Sequence, residues 1–169
     1  MKLFEKYFLR LLLISAAILF LVGCDQATKQ SAQKELINKA KTEIAGFINL
    51  QYVENDGGML SLAKDFPREI KFIVFILIVS IFLLILFFYI IKQDHEDIIK
   101  QSALVLILSG GIGNLIDRVM NDGKVIDFIR LRIPLIEYGI FNIADFYVTL
   151  GLLILLISVL LKKKQIILE

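Results

Sequence analysis

The stretch Ile70 to Ile91 is an almost uninterrupted apolar run, and no other feature constrains the chain as tightly. A helix rising 1.5 Å per residue crosses the hydrocarbon of a bilayer in roughly 20 residues. Ile70–Ile91 is long enough to do this in one pass. Comparable runs recur at about 8–24, 98–116 and 143–161, so the expected fold is an α-helical integral membrane protein with four transmembrane helices. The whole chain, 1–169, reads as a single four-span unit with outer segments 25–69 and 117–142. Composition agrees: 57% of residues are hydrophobic and the mean hydropathy is +0.76. A soluble domain is roughly 45–50% apolar, so most of this apolar surface faces lipid.

The same numbers exclude other classes. A net charge of +2 predicts no nucleic-acid partner. The single Cys24 excludes an internal disulfide, and one Cys with one His argues against a protein-built zinc site. His95 falls in the charged turn Lys92–Lys100, where a solvated role is expected. Lys2, Lys6 and Arg10 precede the run Leu11–Val22, a pattern that also describes a secretory signal peptide. That run ends Leu21-Val22-Gly23-Cys24, which resembles the lipobox of bacterial lipoproteins. A lipoprotein would continue as a soluble domain, whereas this chain returns to the membrane three more times. A first span, with Cys24 as a small packing residue at its outer end, is the better reading.

With the N-terminus in the cytoplasm, the short inner segments hold Lys2, Lys6, Arg10, Lys92, Lys100 and Lys162 to Lys164. Basic density near the membrane therefore places both termini inside. On the outer side, Gln30–Ala45 has apolar positions (Leu36, Ile37, Ala40, Ile44) that fit a short surface helix. Phe47–Val53 alternates and reads as a strand, followed by a turn at Asn55-Asp56-Gly57-Gly58. Lys124-Val125-Ile126 is also strand-like. Small residues at Ser109, Gly110, Gly111 and Gly113 permit close helix packing.

This topology puts Asp25, Asn55, Asp117, Arg118, Asp127, Asn142 and Asp145 all on the outer side. Asn114 lies a turn inside Asp117 on the same helix face. A short connection lets the third and fourth spans pair antiparallel, bringing Asp127 and Asp145 to one rim. A carboxylate at a membrane border is a functional-site hypothesis by default. Two carboxylates sharing a proton can hydrolyse a peptide without metal, thiol or serine: one takes a proton from water while the other polarises the carbonyl. The alternative is that these aspartates pair with Arg118, Arg130 or Arg132 and only fix the fold; Asp117-Arg118 reads better that way.

The ordered set Asp25-Gln26-Ala27-Thr28-Lys29, Asn55-Asp56-Gly57, Gly110-Gly111-Ile112-Gly113-Asn114 with Asp117-Arg118, Val125-Ile126-Asp127-Phe128 and Phe141-Asn142-Ile143-Ala144-Asp145 resembles the bacterial lipoprotein signal peptidase family (signal peptidase II). The likeness covers essentially the whole chain. It implies an aspartic endopeptidase of the inner membrane that cuts diacylglyceryl-modified prolipoproteins before the lipidated cysteine, with its active site near the outer face. Asp127 and Asp145 match the family's catalytic pair. Asp25, Lys29, Asn55, Gly57, Asn114, Asp117, Arg118 and Asn142 match its supporting and substrate-contacting positions. The implied fold adds a small outer β-cradle and a short surface helix to the four spans. No cofactor or metal is implied, the partners are prolipoproteins and membrane lipid, and a monomer is expected. Glu54 departs from the family, many members having a basic residue there. A competing class is a small proton-coupled transporter using Asp117, Asp127 and Asp145 as a relay. A relay needs carboxylates stepped along a path, whereas these cluster at one border.

Overall fold

The computed structural model describes residues 2–37, 39, 42–56, 66–92, 97–133 and 136–168. Four helices in it are long and apolar enough to cross a membrane: Tyr7–Leu36, Glu69–Lys92, Ile98–Met120 and Ile143–Leu161. The first belongs to α1 (Lys2–Leu36), a single unbroken helix. At 1.5 Å per residue it is about 50 Å long, well beyond the ~30 Å hydrocarbon. Its last turns therefore stand clear of the membrane. The helix expected after Lys29 is this extension of α1 and not a separate surface piece. No Gly or Pro interrupts its outer turns, and Ala32 and Leu36, one turn apart, bury their side chains against Phe128.

The outer layer is a four-stranded antiparallel sheet in the order β1-β2-β3-β4, comprising β1 (Thr42–Ala45), β2 (Ile48–Asn55), β3 (Val125–Ile133) and β4 (Ile136–Phe141). The strand expected at Phe47–Val53 is β2. The helical reading of Thr42–Ala45 is corrected: this segment pairs with β2, Thr42 opposite Leu50 and Ala45 opposite Ile48. Apolar spacing suggested a helix there, but Thr42 and Ile44 are β-branched and Gly46-Phe47 turns the chain into a hairpin. Leu50, Tyr52 and Ile129 join Phe128 against the α1 extension, so the sheet rests on the exposed end of the first span.

The second span is built from α2 (Arg68–Phe72), a π-helical segment at Ile73–Ile78 and α3 (Val79–Lys92). α4 (Ile98–Met120) and α5 (Ile143–Leu168) form the third and fourth. α4 starts on Asp97, whose carboxylate accepts from Lys100 N at 2.9 Å. It runs past the expected end at 116, so Asp117 and Arg118 lie in its last turns. α5 likewise continues as helix through Lys162-Lys163-Lys164. The membrane core joins Ile14 and Ile18 of α1, Leu83, Leu86 and Ile90 of α3, and Leu104, Val105 and Leu108 of α4.

α4 and α5 pack antiparallel through small residues in matched register. A Cβ on Gly110 would strike the Ala144 carbonyl, and seven residues along each helix, one on Gly151 would lie 2.6 Å from the Ala103 carbonyl oxygen. Close backbone approach of this kind is the usual substitute for a hydrophobic drive between helices in lipid. It places the start of α5 beside the last turns of α4. α4 ends on a tight reversal: Asp122 and Gly123 take positive φ (55° and 87°), and Gly123 N donates to Arg118 O at 2.8 Å. This is a Schellman closure. It turns β3 straight back along the helix it has just left, returning Asp127 to the end of α4.

Candidate active site

Each residue of the outer polar cluster is held by the end of an element. Asn142 is the N-cap of α5: its Oδ1 accepts from Asp145 N at 3.0 Å, and Asp145 Oδ2 accepts from Asn142 N at 3.2 Å. The sequence Asn-x-x-Asp thus forms a reciprocal capping box. The next free amide of that first turn, Ala144 N, donates to Asp25 Oδ1 at 2.9 Å, tying α5 to α1. Asn55 ends β2 two residues beyond the position opposite Asp127 and so shares its face of the sheet.

These placements converge on two carboxylates. Asp127 Oδ1 accepts from Asn142 Nδ2 at 2.7 Å and Oδ2 from Asn55 Nδ2 at 2.9 Å. Asp145 Oδ1 accepts from Asn114 Nδ2 at 2.8 Å, and Oδ2 from Asn142 N. Asn142 therefore donates to both carboxylates, and each of the four oxygens receives one amide N–H. Asp127 is 2% exposed. Burial pushes its carboxyl up to about 6; the negative charge of Asp145 adds to this, against the hydrogen bonds from Asn55 and Asn142 and the charge of Lys29. One member of the pair therefore holds its proton to higher pH than an ordinary carboxyl does.

Behind the pair lies a buried ionic knot. Lys29 Nζ contacts Asp25 Oδ2 at 2.8 Å, Asp117 Oδ2 at 2.9 Å and Asn114 Oδ1 at 3.1 Å. Asp117 also accepts from Ile126 N at 3.0 Å, fixing the start of β3 to α4. Gly113 leaves room for the Asp25 carboxylate, since a Cβ there would sit 2.5 Å from Oδ2.

One contributor escaped the sequence reading as an individual residue. Gln26 Nε2 donates to Asp117 Oδ1 at 2.9 Å and to Gly113 O at 3.2 Å, bridging α1 to α4. The signal available was a polar Gln next to Asp25 at an apolar border.

Asp25, Lys29, Asn55, Asn114, Asp117, Asp127, Asn142 and Asp145 come together in one network. Asp117 pairs with Lys29 and not with Arg118. The Arg118 guanidinium lies 5.0 Å over the Phe75 ring and donates to Asn114 O at 3.3 Å. It lines a groove of about 690 Å³ whose apolar wall includes Phe66, Phe72, Phe75 and Ile76. Gly57 lies outside the described residues, as does His95. Glu54 accepts from Lys124 Nζ at 2.7 Å. The lipobox-like Leu21–Cys24 is an interior segment of α1, with Leu21 and Val22 packed on the membrane core. Asp117, Asp127 and Asp145 gather at one end of the bundle, in a single cluster. Among the described residues, no three His, Cys, Asp or Glu side chains converge to hold a metal ion.

A four-span membrane protein with paired, amide-held aspartates at one end of its bundle has the architecture of a membrane aspartic peptidase. Residues 17–161 match the family described as signal peptidase (SPase) II. The chain is 34% identical over 149 residues to the lipoprotein signal peptidase of Streptococcus pneumoniae, covering 88% of this chain and 92% of that one. It is 36% identical over 142 residues to the Streptococcus pyogenes enzyme of the same name, covering 83% and 88%. A solved bacterial membrane enzyme superposes with a TM-score of 0.78 at 29% identity, covering 90% of each chain. A second, at 31% identity, gives 0.71 over 87% of this chain and 92% of that one. The chain belongs to the signal peptidase II family of aspartic endopeptidases, and with its four spans it is a multi-pass protein of the bacterial inner membrane.

Proposed function

We propose that this protein removes signal peptides from diacylglyceryl-modified prolipoproteins, cutting before the lipidated cysteine, with Asp127 and Asp145 as the catalytic pair. The observation that carries the reading is Asn142, which donates to both carboxylates and so ties them to one residue. In the reactive form Asp127 holds the proton that the pair shares. A water between them attacks the scissile carbonyl carbon and gives a proton to Asp145. Asp127 protonates the carbonyl oxygen, forming a neutral gem-diol. As the diol collapses, the C–N bond breaks. The cysteine nitrogen leaves with the proton held by Asp145, and the diol returns one to Asp127. The pair ends with a single proton, as it began.

The apolar wall of the groove beside Arg118, formed by Phe66, Phe72, Phe75 and Ile76, suits the diacylglyceryl chains. Basic residues clustered at the opposite ends of the helices favour both termini in the cytoplasm and the site at the outer face. The test is mass spectrometry of products from a purified diacylglyceryl-modified prolipoprotein. The expected product begins with the lipidated cysteine. Cleavage elsewhere, or equal cleavage of the unmodified precursor, contradicts the assignment.

A further inference from the structure

We propose that Lys29 is a positioning residue for hydrolysis, acting through the Asn114 amide on Asp145; the inference rests on the Asp127–Asp145 reading above. An ammonium offers three donors and no acceptor. All three are used, on Asp25 Oδ2, Asp117 Oδ2 and Asn114 Oδ1. At 1% exposure no water competes for them. The group facing Lys29 in Asn114 must therefore be the amide oxygen, and the NH₂ of that planar amide must point the other way. There it meets Asp145 Oδ1 at 2.8 Å. Turned over, Asn114 would set its NH₂ against an ammonium and its carbonyl against a carboxylate, both repulsive.

The remaining partner of Asn114 Oδ1 is Asn142 Nδ2 at 3.1 Å. That donor is uncharged and is shared with Asp127 Oδ1. Lys29 thus supplies the one charge-assisted bond on the amide oxygen, strengthening the donor that Asn114 turns toward Asp145. Lys29 sets the direction of Asn114 toward Asp145, while Asn142, its Oδ1 held by the Asp145 backbone N–H, turns its NH₂ to Asp127.

A mere charge-balancing role makes a different prediction. Lys29 lies between two buried carboxylates, so Lys29→Met alone leaves both without a cation, and its failure to fold would say nothing. Lys29→Met combined with Asp117→Asn keeps the net charge of the knot, since one positive and one negative charge leave together. Turnover of a diacylglyceryl-modified prolipoprotein is measured for this pair, for Asn114→Ala and for the triple variant, with Asp127→Asn and Asp145→Asn alongside and a thermal melt of each. Misplacing a reacting group through a change behind it costs up to about 100-fold.

The expected result is a folded double variant with kcat reduced by that factor and KM within about threefold. Asn114→Ala should match it, and the triple variant should lose no more than either, because the two residues act in series. Recovery of the double variant to within threefold of wild type would reduce Lys29 to charge balance and overturn the proposal. Losses that multiply in the triple variant would overturn it as well. If Asp127→Asn and Asp145→Asn still cut, it is the catalytic pair that fails. If they are inert and the double variant is fully active, only the role of Lys29 fails.

Discussion

Asn142 and Asp145 hold one another at the head of α5, Oδ1 of the first accepting from the backbone N–H of the second at 3.0 Å and Oδ2 of the second from the backbone N–H of the first at 3.2 Å. A motif that ordinarily stops a helix fraying here aims a carboxylate. The geometry of the site is thus inherited from helix capping, and stability and activity are coupled through the same two hydrogen bonds.

Asn142→Ala removes the cap and the donor to Asp127 together. A lost N-cap costs about 1 kcal/mol, and misplaced reacting groups cost about 100-fold in rate. We expect a modestly lower melting temperature with a disproportionate fall in kcat. Asn142→Asp should keep much of the cap and still be inactive, since it sets a third carboxylate against Asp127. Melting curves and turnover on the same preparations check both.

The raised carboxyl of Asp127 predicts a pH profile. With a folded value of about 6 against 3.8, the native state binds the proton more tightly than the unfolded chain does. Stability contributed by this group is therefore largest at low pH, declines as pH rises from about 4 to about 6, and is flat above. If Asp127 is the protonated member, kcat/KM falls as pH rises through about 6. Asn55 donates to the charged form and lowers the value. Asn55→Ala should move the limb of kcat/KM to higher pH, and movement to lower pH would reverse the assignment.

The close packing of α4 on α5 is testable at single glycines. Gly110→Ala presses a methyl into the Ala144 carbonyl and Val148 Cγ2, and Gly113→Ala into Asp25 Oδ2. Each should destabilise by about 1–3 kcal/mol, as overpacking does, and should lower activity by displacing Asp145 or the Lys29 knot. Gly23 in α1 has nothing within 4 Å of the point an added methyl would occupy, so Gly23→Ala should be neutral or stabilising by up to about 1 kcal/mol through helix propensity. Thermal unfolding in detergent separates the three.

The spans were legible because lipid imposes a length and a polarity that Ile70–Ile91 states outright. Asp127 and Asp145 were legible because a carboxylate at an apolar border requires a reason to be there. Most of what the sequence hid is set by contacts distant along the chain. α1 continues to Leu36 because Ala32 and Leu36 find Phe128 nearly a hundred residues away; Thr42–Ala45, by contrast, was misread locally, its helical spacing overridden by the hairpin to β2. The cation for Asp117 was misread through distance: Arg118 is adjacent in sequence, yet its side chain turns to Phe75 while Lys29 arrives from another helix. Capping offered a local clue to Asn142, whereas Gln26 had only its position beside Asp25.

The central claim is that Asp127 and Asp145 together activate the water that cleaves the substrate. Its most direct test is a single-turnover assay of wild type, Asp127→Asn and Asp145→Asn on a diacylglyceryl-modified prolipoprotein, each confirmed folded by its melting transition. The account predicts that wild type cuts and that each variant, still folded, falls by at least about 10,000-fold, the order of loss seen when a member of a catalytic unit is removed. A folded variant of either residue that cuts within tenfold of wild type would contradict it.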